Sequence, residues 1–394
     1  MRLLIYSHFF APSVGGVETV VKSLATGLAN LRTTGDAAVY EVTVVTHTPD
    51  LDTNTLSAPY RIIRRPSVDE LRKVIASSDL IHVAGAAIPP IREALRIGKP
   101  VVVEHHGFQV ICPTGQLLQE PQDAPCPGHF MKGNHAACLG CRKTGSFYGS
   151  FRLWLLTFFR RSLCKRVDVN IVPTAWLGER LKLPRTKTVA HGLPQESAIT
   201  RTGSQDLKTI VFIGRLVTTK GVSLLLEAAR RLKEQARPFQ LLLVGGGPER
   251  ESLEERVRGW GLVPEVKFAG PVANEQLPRY LDQAAAVVVP SLGGEVFGMV
   301  VAESMLRGLP VVASDLGSFV EVLGNRDQTF RTGDAGGLAR QLTRVLDNPN
   351  LAADWARDGR QRALSQFSEQ KMIENHEEIY REVLQSRAKN RARG

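Results

Sequence analysis

Apolar and polar positions alternate along this chain in blocks. Short apolar runs, each closed by glycine, proline or a polar cluster, recur near 3–6, 41–46, 60–63, 79–83, 100–104, 168–172, 187–190, 209–213, 241–244, 265–268 and 287–289. Runs this short and this rich in Val, Ile and Leu predict strands buried on both faces. Stretches of helical period lie between several of them. Val17, Val20, Val21, Leu24, Leu28 and Leu31, for example, share one face. Strand and helix in alternation predict α/β architecture with parallel sheets covered on both sides. The pattern runs once to about residue 190, loosens into a polar linker at 191–206, and restarts at Thr209. We divide the chain into domains at 1–195 and 196–367, with a final helix and basic tail at 368–394. Ser368 followed by early Glu reads as the cap of that helix. A length of 394 residues suits two or three domains at ~150 residues each.

Several strand ends run through glycine into a helix. Gly15 and Gly16 do so after the first strand, but without the G-x-G-x-x-G of a dinucleotide site, so they read as a phosphate-facing turn or a tight turn alone. Gly214, Arg215 and Lys220 follow the strand at 209–213. A forked cation and a point cation at this place suit a pyrophosphate leaving group, whose charge grows as its bond breaks. The stretch SLGGEVFGMVVAESM, from Ser291, turns on glycines into an apolar helix. The amides of Phe297, Gly298, Met299 and Val300 at such a helix start form a site for anions or hydroxyls. Glu295 and Glu303 flank it, spaced to hold a polyol at two places; by themselves they also fit two solvated glutamates. His106, in EHHGF at the carboxyl end of the strand at 100–104, lies where doubly wound sheets bind ligands. Asp50-Leu51-Asp52 reads as a chance D-x-D in a polar loop.

Taken in order, FIGRLVTTKG, LLLVGGGPE and SLGGEVFGMVVAESM resemble the donor-binding domain of retaining glycosyltransferases of family four, and the likeness covers nearly the whole chain. The resemblance implies the GT-B fold: two doubly wound Rossmann-like domains facing a central cleft, the last helix crossing back to the first. It implies a nucleotide-sugar donor and transfer with retention to a glycan, glycolipid or lipid-linked acceptor, in bacterial-type surface polysaccharide or glycolipid synthesis. It also implies roles by residue. Arg215 and Lys220 act on the leaving diphosphate, Glu295 and His106 act at the transferred sugar, Glu303 holds the ribose, and Gly15 and Gly16 lie against the pyrophosphate. No cofactor is expected for catalysis. A nucleotide-sugar epimerase or hydrolase, or a non-catalytic sugar-nucleotide-binding protein, remains as an alternative.

Composition adds three points. The net charge of +11 favours anionic partners; since the charge is not gathered on a nucleic-acid reader motif, we expect no nucleic acid. No apolar run reaches the ~18 residues of a membrane span, and MRLLIYSHFF is too short for a signal peptide, so a cytoplasmic protein is expected. Residues 146–165, however, interleave aromatics with arginines and contain no acid, which suits a peripheral site on an anionic inner membrane face; packing on the sheet would also use those apolar residues. Lastly, an insert at 107–147 shows little periodicity and carries Cys112, Cys126, Cys138 and Cys141. In a reducing compartment these fit a structural zinc with four thiolates, free thiols, or an iron–sulfur cluster. Following His106 as it does, the insert is expected to shape acceptor choice.

Overall fold

The computed structural model describes residues 1–13, 15–50, 58–120, 122–141, 146–194, 208–273 and 276–393. The chain forms two compact units. The first holds Met1–Gly115, Gly128–Pro194 and Phe367–Gly394; the second holds Gln116–Pro127 and Gln195–Gln366. The described strands are β1 (Arg2–Ser7), β2 (Glu41–Thr46), β3 (Arg61–Arg64), β4 (Leu80–Ala84), β5 (Val101–Glu104), β6 (Leu118–Gln119), β7 (Ala124–Pro125), β8 (Val169–Val172), β9 (Thr186–Thr188), β10 (Thr209–Ile213), β11 (Gln240–Val244), β12 (Val266–Gly270), β13 (Ala286–Val289), β14 (Val311–Ser314) and β15 (Thr329–Phe330).

The first unit is built on a seven-stranded sheet in the order β3-β2-β1-β4-β5-β8-β9, every pair parallel. The second has a parallel six-stranded sheet, β12-β11-β10-β13-β14-β15. Both are doubly wound, with the order reversing beside β1 and beside β10, the places where such sheets bind ligands. Every residue of β4, β5, β13 and β14 is buried, as expected of central parallel strands. Local chemistry starts several helices. Ser67 accepts the Glu70 amide at 3.1 Å, Thr174 the Leu177 amide at 3.3 Å, and Asp334 the Gly337 amide at 2.9 Å. In the second unit Phe212, Leu225, Leu226, Leu243, Leu253 and Trp355 belong to one core.

The last helix, Glu369–Arg393, belongs to the first unit. Leu193 donates its amide to Phe367 at 2.7 Å, and Ser368 accepts the Lys371 amide at 3.2 Å. Arg387 grips Asp168 through both carboxylate oxygens, at 2.6 and 2.9 Å. No described helix is long and apolar enough to cross a membrane.

Two departures from the sequence reading concern the insert. The sequence boundary at 195 puts the whole insert 107–147 in the first domain, but Gln116–Pro127 groups with the second unit. The β6/β7 pair forms there, and the Gly294 amide donates to the Gln116 carbonyl at 2.6 Å. The insert also contains an unexpected short helix, His135–Gly140, capped by Asn134. The expected linker lies outside the described residues from 195 on, as do Leu51 and Asp52 of the D-x-D.

Candidate functional site

In the second unit, β10 ends at Ile213 and the chain passes through Gly214 and Arg215 to a single 3₁₀ turn, Thr218–Lys220. Leu292 donates its amide to the Thr219 carbonyl at 2.8 Å, joining this turn to the loop after β13. Lys220 Nζ then meets Glu295 Oε1 at 2.5 Å, and Ser291 Oγ donates to the same oxygen at 3.0 Å. Buried serines hold the loop itself. Ser318 Oγ donates to the Glu295 carbonyl at 2.9 Å, and Ser314 Oγ to the Ser291 carbonyl at 2.7 Å. In the sequence Lys220 and Glu295 appear as separate agents, one for phosphate and one for sugar. In the structure they are one half-buried ion pair. Arg215 is exposed, and its side chain makes no hydrogen bond or ion pair among the described residues. A ligand carrying both phosphate oxygens and hydroxyls can exchange this pair, giving oxygens to Lys220 and hydroxyls to Glu295, while Arg215 offers a free guanidinium fork.

The helix Met299–Leu306 begins beyond Gly298, whose backbone is left-handed at φ 98°. A Cβ at Gly298 would sit 2.6 Å from the Phe319 ring, so only glycine fits. No side chain caps this helix, so the first-turn amides of Met299 and Val300 are left to other acceptors. Phe297, named with them in the sequence, precedes the cap and has a buried side chain. Glu303 lies on the helix one turn on. Burial pushes its carboxyl up to about 7, against the pull of Arg307.

The remaining candidates belong to the first unit. Gly15 caps the helix Gly16–Asn30 in extended backbone, and its carbonyl accepts from the Thr19 amide and hydroxyl at 3.0 and 2.9 Å. His105 is structural: its Nε2 lies 2.9 Å from Asn170 Oδ1 in the core, and burial lowers its pKa to about 4. His106 faces inward, with Nε2 3.5 Å from Glu104 Oε2 and its ring 5.2 Å from that of His191. It therefore joins a buried cluster of His82, Glu104, His191 and His376 that sequence reading missed. Burial works against the Glu104 charge, and only positive charge on the His106 and His376 side outweighs it and holds the carboxyl well below its usual range. Burial lowers His82, and lowers His191 to about 3. The cluster left two faint signals, a histidine inside the apolar strand LIHVA and a glutamate closing VVVE.

Cys112, Cys138 and Cys141 lie in the first unit and Cys126 in the second. Among the described residues, the groups of three with ligand atoms within 4.8 Å of one another are His82–Glu104–His376 and Glu104–His106–His191. The four-cysteine set is not one of these groups.

Two doubly wound units, with the terminal helix returned to the first, define the GT-B fold. Sucrose-phosphate synthase from Thermosynechococcus elongatus superposes with a TM-score of 0.76 at 21% identity, over 98% of this chain and 99% of that one. Anabaena HepE in complex with UDP gives 0.72 at 18%, over 97% and 100%. The chain thus has the GT-B fold, and residues 195–362 match the family Glycosyl transferases group 1. A phosphatidyl-myo-inositol mannosyltransferase of Mycobacterium leprae is 33% identical over 215 residues, 52% of this chain and 54% of that protein. A 2-deoxystreptamine glucosyltransferase of Streptomyces kanamyceticus is 32% identical over 45% and 43%. The chain thus spans about half the length of these curated relatives. A glycogen synthase of Mycobacterium tuberculosis matches at 28% over 96% and 94%.

Proposed function

We propose that the protein is a retaining glycosyltransferase of family four, moving a sugar from a nucleotide diphosphate to a glycan, glycolipid or lipid-linked acceptor. The observation that carries this is the Lys220–Glu295 pair, set beside exposed Arg215 and an uncapped helix start inside a glycosyl transferases group 1 domain. Lys220 and Arg215 stabilise the departing diphosphate. Glu295, freed from Lys220, and the Met299 and Val300 amides hold sugar hydroxyls, and Glu303 takes the ribose. With Glu295 engaged by sugar hydroxyls, no covalent sugar–enzyme bond forms; the acceptor attacks on the face the diphosphate leaves, and the diphosphate takes its proton. UDP is the first nucleotide to try, because the fold neighbour HepE is described with UDP and with UDP-glucose. Gln116–Pro127, bonded to the turn before Glu295, supports a role for the insert in acceptor choice.

The test is calorimetric titration of UDP-, GDP- and ADP-sugars into the wild type and into Lys220→Ala. One donor should bind at micromolar strength and be lost by the variant. If none binds, transferase activity is rejected. Donor turnover without any acceptor would instead favour an epimerase or hydrolase.

A further inference from the structure

Glu104 closes β5 with its side chain fully buried, and neither carboxylate oxygen has a hydrogen-bond partner. A carboxylate in that position is costly unless a cation compensates it. Histidine Nε2 atoms surround it: His82 at 3.2 Å, His106 at 3.5 Å and His376 at 3.6 Å from Oε2, and His191 at 3.7 Å from Oε1. These spacings are long for charge-assisted hydrogen bonds, which close to about 2.7–2.9 Å. They match the edges of a ligand tetrahedron, where atoms each about 2.0–2.1 Å from a central ion lie roughly 3.3 Å apart.

The ring tautomers agree. His376 Nδ1 lies 2.8 Å from the Met372 carbonyl, which can only accept, so Nδ1 carries the proton. In the neutral ring, Nε2 then turns a lone pair toward the carboxylate, a repulsive arrangement that an intervening cation makes attractive. His82 Nδ1 lies 2.9 Å from Tyr380 Oη, which can accept its proton in the same way. Outer hydrogen bonds of this kind orient metal-ligating histidines.

We propose that His82, Glu104 and His376 hold one divalent transition-metal ion of the zinc class in the first unit. Two imidazoles and a carboxylate favour such an ion over magnesium or calcium. The ligands come from β4, from β5 and from the terminal helix Glu369–Arg393, so the ion staples that helix to the sheet. His106, a sugar-site candidate, lies 3.5 Å from the same carboxylate but is not among the three ligands, and the readouts below do not depend on sugar transfer.

The test uses the untagged full chain, loaded with zinc, desalted and measured by elemental analysis. About one zinc per chain is expected. Glu104→Gln and His376→Gln should each lose it, and a Cys112→Ser, Cys126→Ser, Cys138→Ser, Cys141→Ser variant should keep it. Cobalt in place of zinc should show visible ligand-field bands without thiolate charge transfer. Chelation should lower the melting temperature of the wild type by about 5 °C and leave Glu104→Gln unmoved. The wild-type comparison needs no variant to fold. A wild type that retains no zinc and ignores chelator overturns the site, leaving a protonated histidine as the partner of Glu104. Equal zinc in all variants, or loss only with the cysteines, overturns it as well.

Discussion

Glu303 gives the clearest test at the scale of one residue. Its carboxyl in the folded protein is raised to about 7 from an ordinary value near 4.5, so between those values the native state binds the extra proton. Its contribution to stability is therefore full below about 4.5 and is lost as pH rises through 7. Urea unfolding should show that decline in the wild type and a flatter profile in Glu303→Gln. Ribose hydroxyls donate best to the ionised form, so donor affinity should rise across the same window and not in the variant; parallel curves would sink the ribose assignment. Lys220→Ala, which weakens donor binding as well, should lower kcat/KM by at least about 10²–10³, the usual loss when a donor to developing charge is removed, measured as donor turnover with acceptor present. The spacing of Glu295 and Glu303 was legible because it is local. The Lys220–Glu295 bond was not, because its partners lie 75 positions apart. The histidines around Glu104 were harder still, being gathered from four separate segments with no shared period.

At the scale of elements, the helix Phe147–Cys164 departs from ordinary amphipathic packing. Its buried residues are Ser150, Thr157, Leu163 and Cys164, while Phe147, Tyr148, Phe151, Leu155, Phe158 and Phe159 are exposed. Arg161 is already occupied, donating to the carbonyls of Leu181 and Lys182 at 2.6 and 3.1 Å. Arg152, Lys165 and Arg166 are exposed beside the rings. Rings beside basic groups suit anionic lipid, the partner that the sequence leads one to expect. Co-sedimentation with phosphatidylglycerol vesicles should exceed that with phosphatidylcholine, and Phe151→Ser with Phe159→Ser should abolish the difference; equal binding to both lipids would refute it. A second element-scale test concerns the contact between the first helix and the last. A Cβ at Gly27 would lie 2.1 Å from Ile373 Cδ1. Gly27→Val should therefore cost about 1–3 kcal/mol by overpacking, read from the urea midpoint, and Ile373→Ala in the same chain should recover part of it. The apolar runs named from the sequence lie within two residues of the observed strands. The β6/β7 pair and β15 were not among them, because two-residue strands carry no period and exist through their partners.

At the scale of the molecule, the three family motifs all fall in the second unit, whereas the terminal helix could be assigned to the first unit only by analogy, since nothing local says where a helix docks. Deleting residues 367–394 should do more than shorten the chain. It removes Tyr380, buried against His82, and Arg387 from Asp168. The truncated protein should be recovered largely insoluble, or with a markedly lower melting temperature if soluble; an unchanged melting curve would deny the helix a structural role. The allotment of Gln116–Pro127 to the second unit has a further consequence, for how such a chain can be recombined. Neither unit is one continuous stretch of gene, for the polypeptide passes between them near 115, 127, 194 and 366. A chimaera with crossovers only at the last two points would import a foreign second-unit body and keep the host's 116–127 against its Gly294 turn. Exchange of the whole second unit therefore calls for two grafted pieces of sequence, its body and the short insert segment that seats on it, while the terminal helix stays with the host's first unit.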